Sequence, residues 1–210
     1  MTDRLVWYAA YGSNLNPDRF VCYIEGGKPK FSRKEMLGCR DKTHPRGTKT
    51  FLDKYDLYFA KRSSLWNGGV CFIEEGDSKT LFDLYLISAE QFKEVLLQEC
   101  GFNSMDDKID LVLNEQDHLF DDRSWYGRVL YLGELEGHSI YTMTAPEDYS
   151  DELLNPSRYY LYHIIKGLHE VHDLTKEEID RYVTEKKGFD DKSELEEAVK
   201  IYKNENQNFY

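Results

Sequence analysis

The 210-residue chain is long enough for one well-buried core and short for two, so a single domain over 1–210 is expected. Its formal charge of −12 repels phosphate backbones and no basic patch offsets it, which argues against nucleic acid as a partner. With 40% hydrophobic and 14% aromatic residues the chain is too apolar for disorder. It holds no apolar run of the roughly 18 residues that a membrane span requires, so no membrane association is expected.

Met1-Thr2-Asp3-Arg4 leads straight into an apolar stretch, without the basic-then-apolar pattern of a signal peptide. Cys22, Cys39, Cys71 and Cys100 lie too far apart for a CxxC motif and outline no disulfide framework, so a reduced, cytoplasmic protein is expected.

Leu5 to Ala10 reads as a buried strand, stopped by Gly12-Ser13-Asn14. Residues 16–46 carry Gly26-Gly27, Pro29 and Pro45 and read as an irregular excursion. Tyr55–Ala60, Val70–Glu74 and Leu81–Ile87 have strand composition, with turns expected at Asn67-Gly68-Gly69 and Glu75-Gly76-Asp77. The period then changes: Ser88 with Gln91 forms a capping-box pattern, and Phe92, Val95 and Leu96 recur at helical spacing until Gly101. Residues 102–124 are acidic (Asp106, Asp107, Asp110 and Asp121 among them) and read as an insertion with one short helix. Tyr126–Leu132 and His138–Thr144 suggest a hairpin around Glu136-Gly137. Asn155-Pro156 is expected to start a helix, and Thr175 with Glu178 and Ser193 with Glu196 to open two more. Strands first, one helix, a hairpin and terminal helices make the fold class α+β, not a doubly wound sheet.

Two features carry chemistry. Phe92, Val95, Leu96 and Glu99 fall at i, i+3, i+4 and i+7, which places a carboxylate on an otherwise apolar helix face. Such a site must be polar, open or paired; a bland alternative is a last helical turn that lets Glu99 reach water. A carboxyl group at the mouth of an apolar cleft favours its protonated form, which suits a general base that later acts as an acid. The second feature is the junction Tyr11-Gly12-Ser13-Asn14-Leu15, where a glycine after a strand lets successive N–H groups face one concavity.

Taken together, these residues resemble a known family. Tyr11-Gly12-Ser13-Asn14-Leu15 is similar to the YGSNL signature of the γ-glutamylcyclotransferase superfamily, and Trp66-Asn67-Gly68-Gly69-Val70 to its W-x-G-G turn. Tyr85 to Glu99 resembles the strand and helix that end in the family's catalytic glutamate, and Pro156-Ser157-Arg158-Tyr159-Tyr160 its P-S-x-x-Y element. The resemblance implies a γ-glutamylcyclotransferase-like fold, a small mixed barrel-like sheet with surrounding helices, with insertions at about 16–46 and 102–124. It also implies a reaction. The α-amine of a γ-glutamyl amide or peptide attacks its own γ-carbonyl, and 5-oxoproline and an amine are released. Glu99 becomes the general acid/base. Tyr11, Gly12, Ser13, Asn14, Leu15, Tyr126 and Tyr160 become substrate contacts. Cys100 stands between the acid and Gly101, where the family often has glycine directly.

No cofactor and no metal are implied. His169-Glu170-Val171-His172 lacks HExxH spacing and reads as two solvated histidines. Gly26-Gly27 and Gly68-Gly69 lack a phosphate-loop pattern, the acidic residues of 102–124 lack the order of a calcium loop, and Tyr159-Tyr160-Leu161-Tyr162 reads mainly as helix core. Two other functions remain open: an amide hydrolase in which Glu99 activates water, and a small-molecule-binding module without turnover.

Overall fold

In the computed structural model, residues 4–102, 104, 111–206 and 209 are described. The chain runs β1 (Leu5–Ala10), α1 (Pro17–Glu25), β2 (Thr48–Ser63), β3 (Gly68–Ser88), α2 (Ala89–Glu99), β4 (His118–Leu119), β5 (Arg128–Leu135), β6 (His138–Thr144), α3 (Arg158–Glu170), α4 (Lys176–Thr184) and α5 (Lys192–Lys203). Hydrogen-bonded strand neighbours follow the order β2-β3-β1-β6-β5-β4, a mixed sheet that ends at β2 and β4 and does not close. The backbone divides into two units, residues 1–10, 20–51 and 83–148 in one and 11–19, 52–82 and 149–210 in the other.

In the first unit, β1 pairs antiparallel with the end of β3 (Leu5 with Ser88, Ala10 with Asp83) and parallel with β6 (Trp7 with Ile140). The β5–β6 hairpin turns at Glu136-Gly137, both at positive φ, as a tight turn that follows the strand twist requires. Tyr8, Phe20, Tyr85, Phe92, Val95, Leu96, Val129 and Tyr141 form one buried cluster, each fully buried large side chain contributing about 1.5–3 kcal/mol. The rings of Phe20 and Tyr85 stack at 4.0 Å between centroids.

The stretch read as irregular contains α1. Asn16 Oδ1 accepts the Asp18 N–H at 3.0 Å, and Pro17 sits at the first helical position, a start signal masked by the Gly-Gly and Pro residues downstream. The expected turn at Glu75-Gly76-Asp77 is instead part of the long β3. A Cβ at Gly76 would lie 2.3 Å from the Asp56 carboxyl carbon, and that carboxylate accepts the Ser78 N–H at 3.0 Å. The missing side chain therefore admits Asp56 and leaves the strand running on. The expected short helix within 102–124 falls in part on residues 103 and 105–110, which lie outside the described residues, as do Asp106, Asp107 and Asp110.

In the second unit, Gly68 and Gly69 let the segment before α3 approach β3. A Cβ on Gly69 would lie 1.9 Å from the Leu154 carbonyl oxygen, while the Gly69 N–H donates to Asn155 O at 2.9 Å. Asn155 is thereby a brace and not a helix start. Its side-chain oxygen also accepts the N–H groups of Asp190 and Asp191 at 3.0 and 3.1 Å, and Ser157 caps α3 instead. The Thr175–Glu178 capping box of α4 is present. α5 begins at Lys192, with Asp191 as its cap accepting the Ser193 N–H at 2.9 Å; Ser193 lies inside the helix. Arg158 holds Glu194 of α5 through Nε at 3.1 Å and its own N–H at 2.6 Å.

Candidate active site

The first unit carries Glu99 and Tyr126. Ser88 accepts the Gln91 N–H at 3.0 Å and Gln91 returns a bond to the Ser88 N–H at 3.0 Å, so α2 starts on a complete capping box. Gln91 Nε2 also reaches the carbonyls of Asp41 and Thr43, pinning the helix start to the loop before β2. Phe92, Val95 and Leu96 are fully buried, as the spacing predicts. Glu90 is exposed beside Lys93, and Glu94, nearly buried, bonds the Arg40 N–H at 2.9 Å and Nη1 at 3.0 Å. These two acids of α2 are thus accounted for by partners on the chain.

Glu99 is different. It is the last helical residue and half-buried. A carboxylate gains nothing from the helix dipole at a C-terminus, so helix stability does not explain its presence. Cys100 forms the helix cap through Leu96 O at 2.9 Å, and Gly101 at φ +80° turns the chain away so that Phe102 N–H reaches Leu97 O at 3.0 Å. Cys100 is therefore the cap of α2. Burial, reinforced by the negative charge of Glu99, pushes the Cys100 thiol up to about 12, which makes it a neutral neighbour and not a nucleophile. Cys100 Sγ lies 3.7 Å from the Tyr126 carbonyl oxygen, so Tyr126 sits at the same helix end as Glu99. It is half-buried in the turn before β5, two residues short of the strand it was expected to open.

The second unit carries Tyr11–Leu15 and Tyr160. Residues Ser13–Leu15 form a single 3-10 turn. Leu15 N–H donates to Gly12 O at 3.0 Å and Asn16 N–H to Ser13 O at 3.3 Å. The Leu15 amide is thus used within the turn and its side chain is fully buried, so Leu15 holds the turn together. Gly167 of α3 is the reason the turn packs so closely, because a Cβ there would stand 2.2 Å from the Leu15 carbonyl oxygen.

Tyr160, only 2% exposed, is brought to the same turn. Its hydroxyl oxygen accepts the Cys71 N–H at 3.0 Å, and a Cβ on Gly12 would lie 2.8 Å from that oxygen. Burial, with Cys71 beside it, holds the phenol well above its ordinary range, so it stays neutral. Burial likewise pushes the Cys71 thiol up to about 12. Tyr11 is buried with its ring edge-on to Phe82. The Trp66 ring meets the rings of Tyr160 at 5.7 Å and His163 at 5.3 Å, so the W-x-G-G turn and the P-S-x-x-Y element are joined through this one indole.

The backbone is similar to those of solved structures. The structure aligns with that of a γ-glutamyl cyclotransferase over 96% of this chain and 99% of that one, at a TM-score of 0.52 and 19% identity. The chain has the γ-glutamyl cyclotransferase-like fold. An uncharacterized protein from Homo sapiens aligns over 96% of this chain and 99% of its own, with a TM-score of 0.53 and 18% identity. YkqA from Bacillus subtilis aligns over 87% of this chain and 55% of its own, with a TM-score of 0.52 and 18% identity. In sequence, the chain is 36% identical over 198 residues to histone deacetylase 5 of Arabidopsis thaliana, covering 85% of this chain. The chain spans 30% of the length of that curated relative. No family model matches the chain.

Two residues of the turn region escaped the sequence. Asn16 Oδ1 is taken by Asp18, so its Nδ2 donates to His163 Nδ1 at 2.8 Å, which places the ring proton on Nε2. Arg19, 3% exposed, donates through Nε to Ser13 Oγ at 2.8 Å and lies over the Trp66 ring at 5.0 Å. An arginine early in a helix reads as a surface residue, and only the buried Asn-Pro helix start hinted otherwise. Of the two histidines read as solvated, His169 is engaged: its Nδ1 lies 2.8 Å from Tyr202 Oη, with the Tyr202 and Phe209 rings edge-on to it.

Proposed function

We propose that this chain is a γ-glutamyl cyclotransferase-type enzyme of that superfamily, acting on a γ-glutamyl amide or peptide. The observation that carries this is the Gly12–Leu15 turn built against Tyr160, on a backbone that aligns with a γ-glutamyl cyclotransferase along 96% of its length. The name of the Arabidopsis deacetylase describes a whole protein of which this chain matches 30%, and its activity is not part of this proposal.

The substrate supplies its own nucleophile. Its α-amine forms a bond to its γ-carbonyl carbon, and the tetrahedral oxyanion collapses with loss of the amine, leaving the five-membered lactam 5-oxoproline. What the protein must provide is a folded substrate, a proton acceptor and oxyanion stabilisation. Glu99 takes the proton from the α-ammonium and returns it to the departing amine. The amides of Gly12, Ser13 and Asn14 hold the anionic end of the substrate, and Tyr11, Tyr126 and Tyr160 give hydroxyls and aromatic walls. Neutral thiols, buried at Cys71 and half-buried at Cys100, fit a mechanism without a protein nucleophile. No cofactor enters these steps. Cys22, Cys39, Cys71 and Cys100 are thiols and not disulfides, which suits a reducing, cytoplasmic setting, and no described helix is long and apolar enough to cross a membrane.

Incubation with γ-glutamyl amides of differing amine, with products identified by mass spectrometry, tests the proposal. 5-Oxoproline with release of the amine is expected. Free glutamate would instead mark a hydrolase in which Glu99 activates water, and no product from any of them would leave a binding module.

A further inference from the structure

The feature that the mechanism above does not use is Arg19. It is a guanidinium, charged at every accessible pH, held inside the second unit. Three contacts fix it. Its Nε donates to Ser13 Oγ at 2.8 Å, its Cζ lies 5.0 Å from the centre of the Trp66 ring, and the backbone N–H of Arg19 donates to Asn16 O at 3.1 Å. The same indole touches Tyr160 and His163, and His163 is bonded to Asn16, the residue that ends the turn. One cation therefore braces the serine at the centre of the amide-presenting turn, while the ring beneath it braces the tyrosine on the turn's other side.

Helix stability does not account for this charge. Arg19 is the third residue of α1, where the helix dipole favours an acid and disfavours a base, and Asp18 already fills the favourable role. The guanidinium group lies within 2.8 Å of Ser13 Oγ through its Nε, and α1 begins at Pro17 just after the turn, so the charge and the positive helix end both raise the potential around the turn's amides. That combination suits a carboxylate better than the neutral carbonyl of an amide, because a full negative charge interacts with each of the three.

We propose that Arg19 is the positioning residue of the Gly12–Asn14 turn: through Ser13 it fixes the turn's shape, and its charge makes the turn select the carboxylate of a γ-glutamyl substrate or its product. This deepens the proposed function and rests on it for the substrate class. Arg19 acts through the turn and need not touch substrate itself.

The test is calorimetric titration of the full chain with 5-oxoproline and with 2-pyrrolidinone, the same ring without the carboxylate. Wild type is expected to prefer 5-oxoproline. Arg19→Gln is expected to weaken 5-oxoproline binding about 10- to 100-fold, the share of a charge-assisted hydrogen bond, and to leave 2-pyrrolidinone within about 3-fold. Arg19→Lys keeps the charge without the Nε–H fork, and is expected to recover part of the preference; it also serves where the Gln variant does not fold. Wild type without a preference, an Arg19 variant that keeps the full wild-type preference, or an equal loss for both ligands in a folded variant would overturn the proposal. Turnover is scored separately with Glu99→Gln, which is expected to keep the carboxylate preference. A wild-type protein that discriminates the two rings yet releases no 5-oxoproline from any γ-glutamyl amide would reject the enzyme assignment while upholding the role of Arg19.

Discussion

Glu99→Gln is expected to fold like wild type and to lose about 10² to 10⁴ in turnover, the usual share of a general acid–base. The substitution keeps side-chain volume and removes only the ability to exchange a proton. Neither the capping box at the start of α2 nor the buried face of Phe92, Val95 and Leu96 involves Glu99, so unfolding should shift little. Glu94→Gln is the matched control on the same helix. It disturbs a nearly buried carboxylate that bonds Arg40 twice, so it is expected to lower the unfolding temperature and leave turnover within a few-fold. If Glu99→Gln cyclised at the wild-type rate, Glu99 would not be the proton carrier.

The second large effect is expected from Gly167→Ala. Alanine is ordinarily the better helix residue, by about 1 kcal/mol over glycine. Here the added Cβ would stand 2.2 Å from the Leu15 carbonyl oxygen and 2.5 Å from its carbonyl carbon, and backbone atoms cannot rotate out of the way as a side chain can. α3 or the 3-10 turn must shift, which costs about 1–3 kcal/mol or more as overpacking does. Since the turn includes Gly12, Ser13 and Asn14, activity should fall beyond what the lost stability explains. Thermal melts with steady-state assays at a temperature where the variant is fully folded check this. A variant more stable than wild type, as the propensity scale alone predicts, would show that the helix and the turn are not locked together.

The elements legible in the sequence were those whose signal is local. The α2 capping box, the α4 capping box and the Glu136-Gly137 hairpin follow from two or three residues each, and the structure holds all three. What escaped was set at a distance. Gly76 reads as a turn until Asp56 from the neighbouring strand is seen to fill its space. Asn155-Pro156 reads as a helix start until Gly69, Asp190 and Asp191 are seen to use Asn155 as a brace. In the candidate site, Glu99 stood out because a carboxylate breaks an apolar face, and the glycine turn because a strand rarely ends so abruptly without cause. A motif also names residues without saying which amides the turn itself consumes, as it does that of Leu15. Arg19 carried no pattern at all: its meaning comes from Ser13 and Trp66, six and 47 positions along the chain.

The central claim is that the nucleophile belongs to the substrate, and running the reaction in heavy-oxygen water tests it most directly. Ring closure keeps the original γ-carbonyl oxygen, so the 5-oxoproline released should carry no label from the solvent. Labelled glutamate as the first product would place water, not the substrate amine, at the γ-carbonyl and contradict the account.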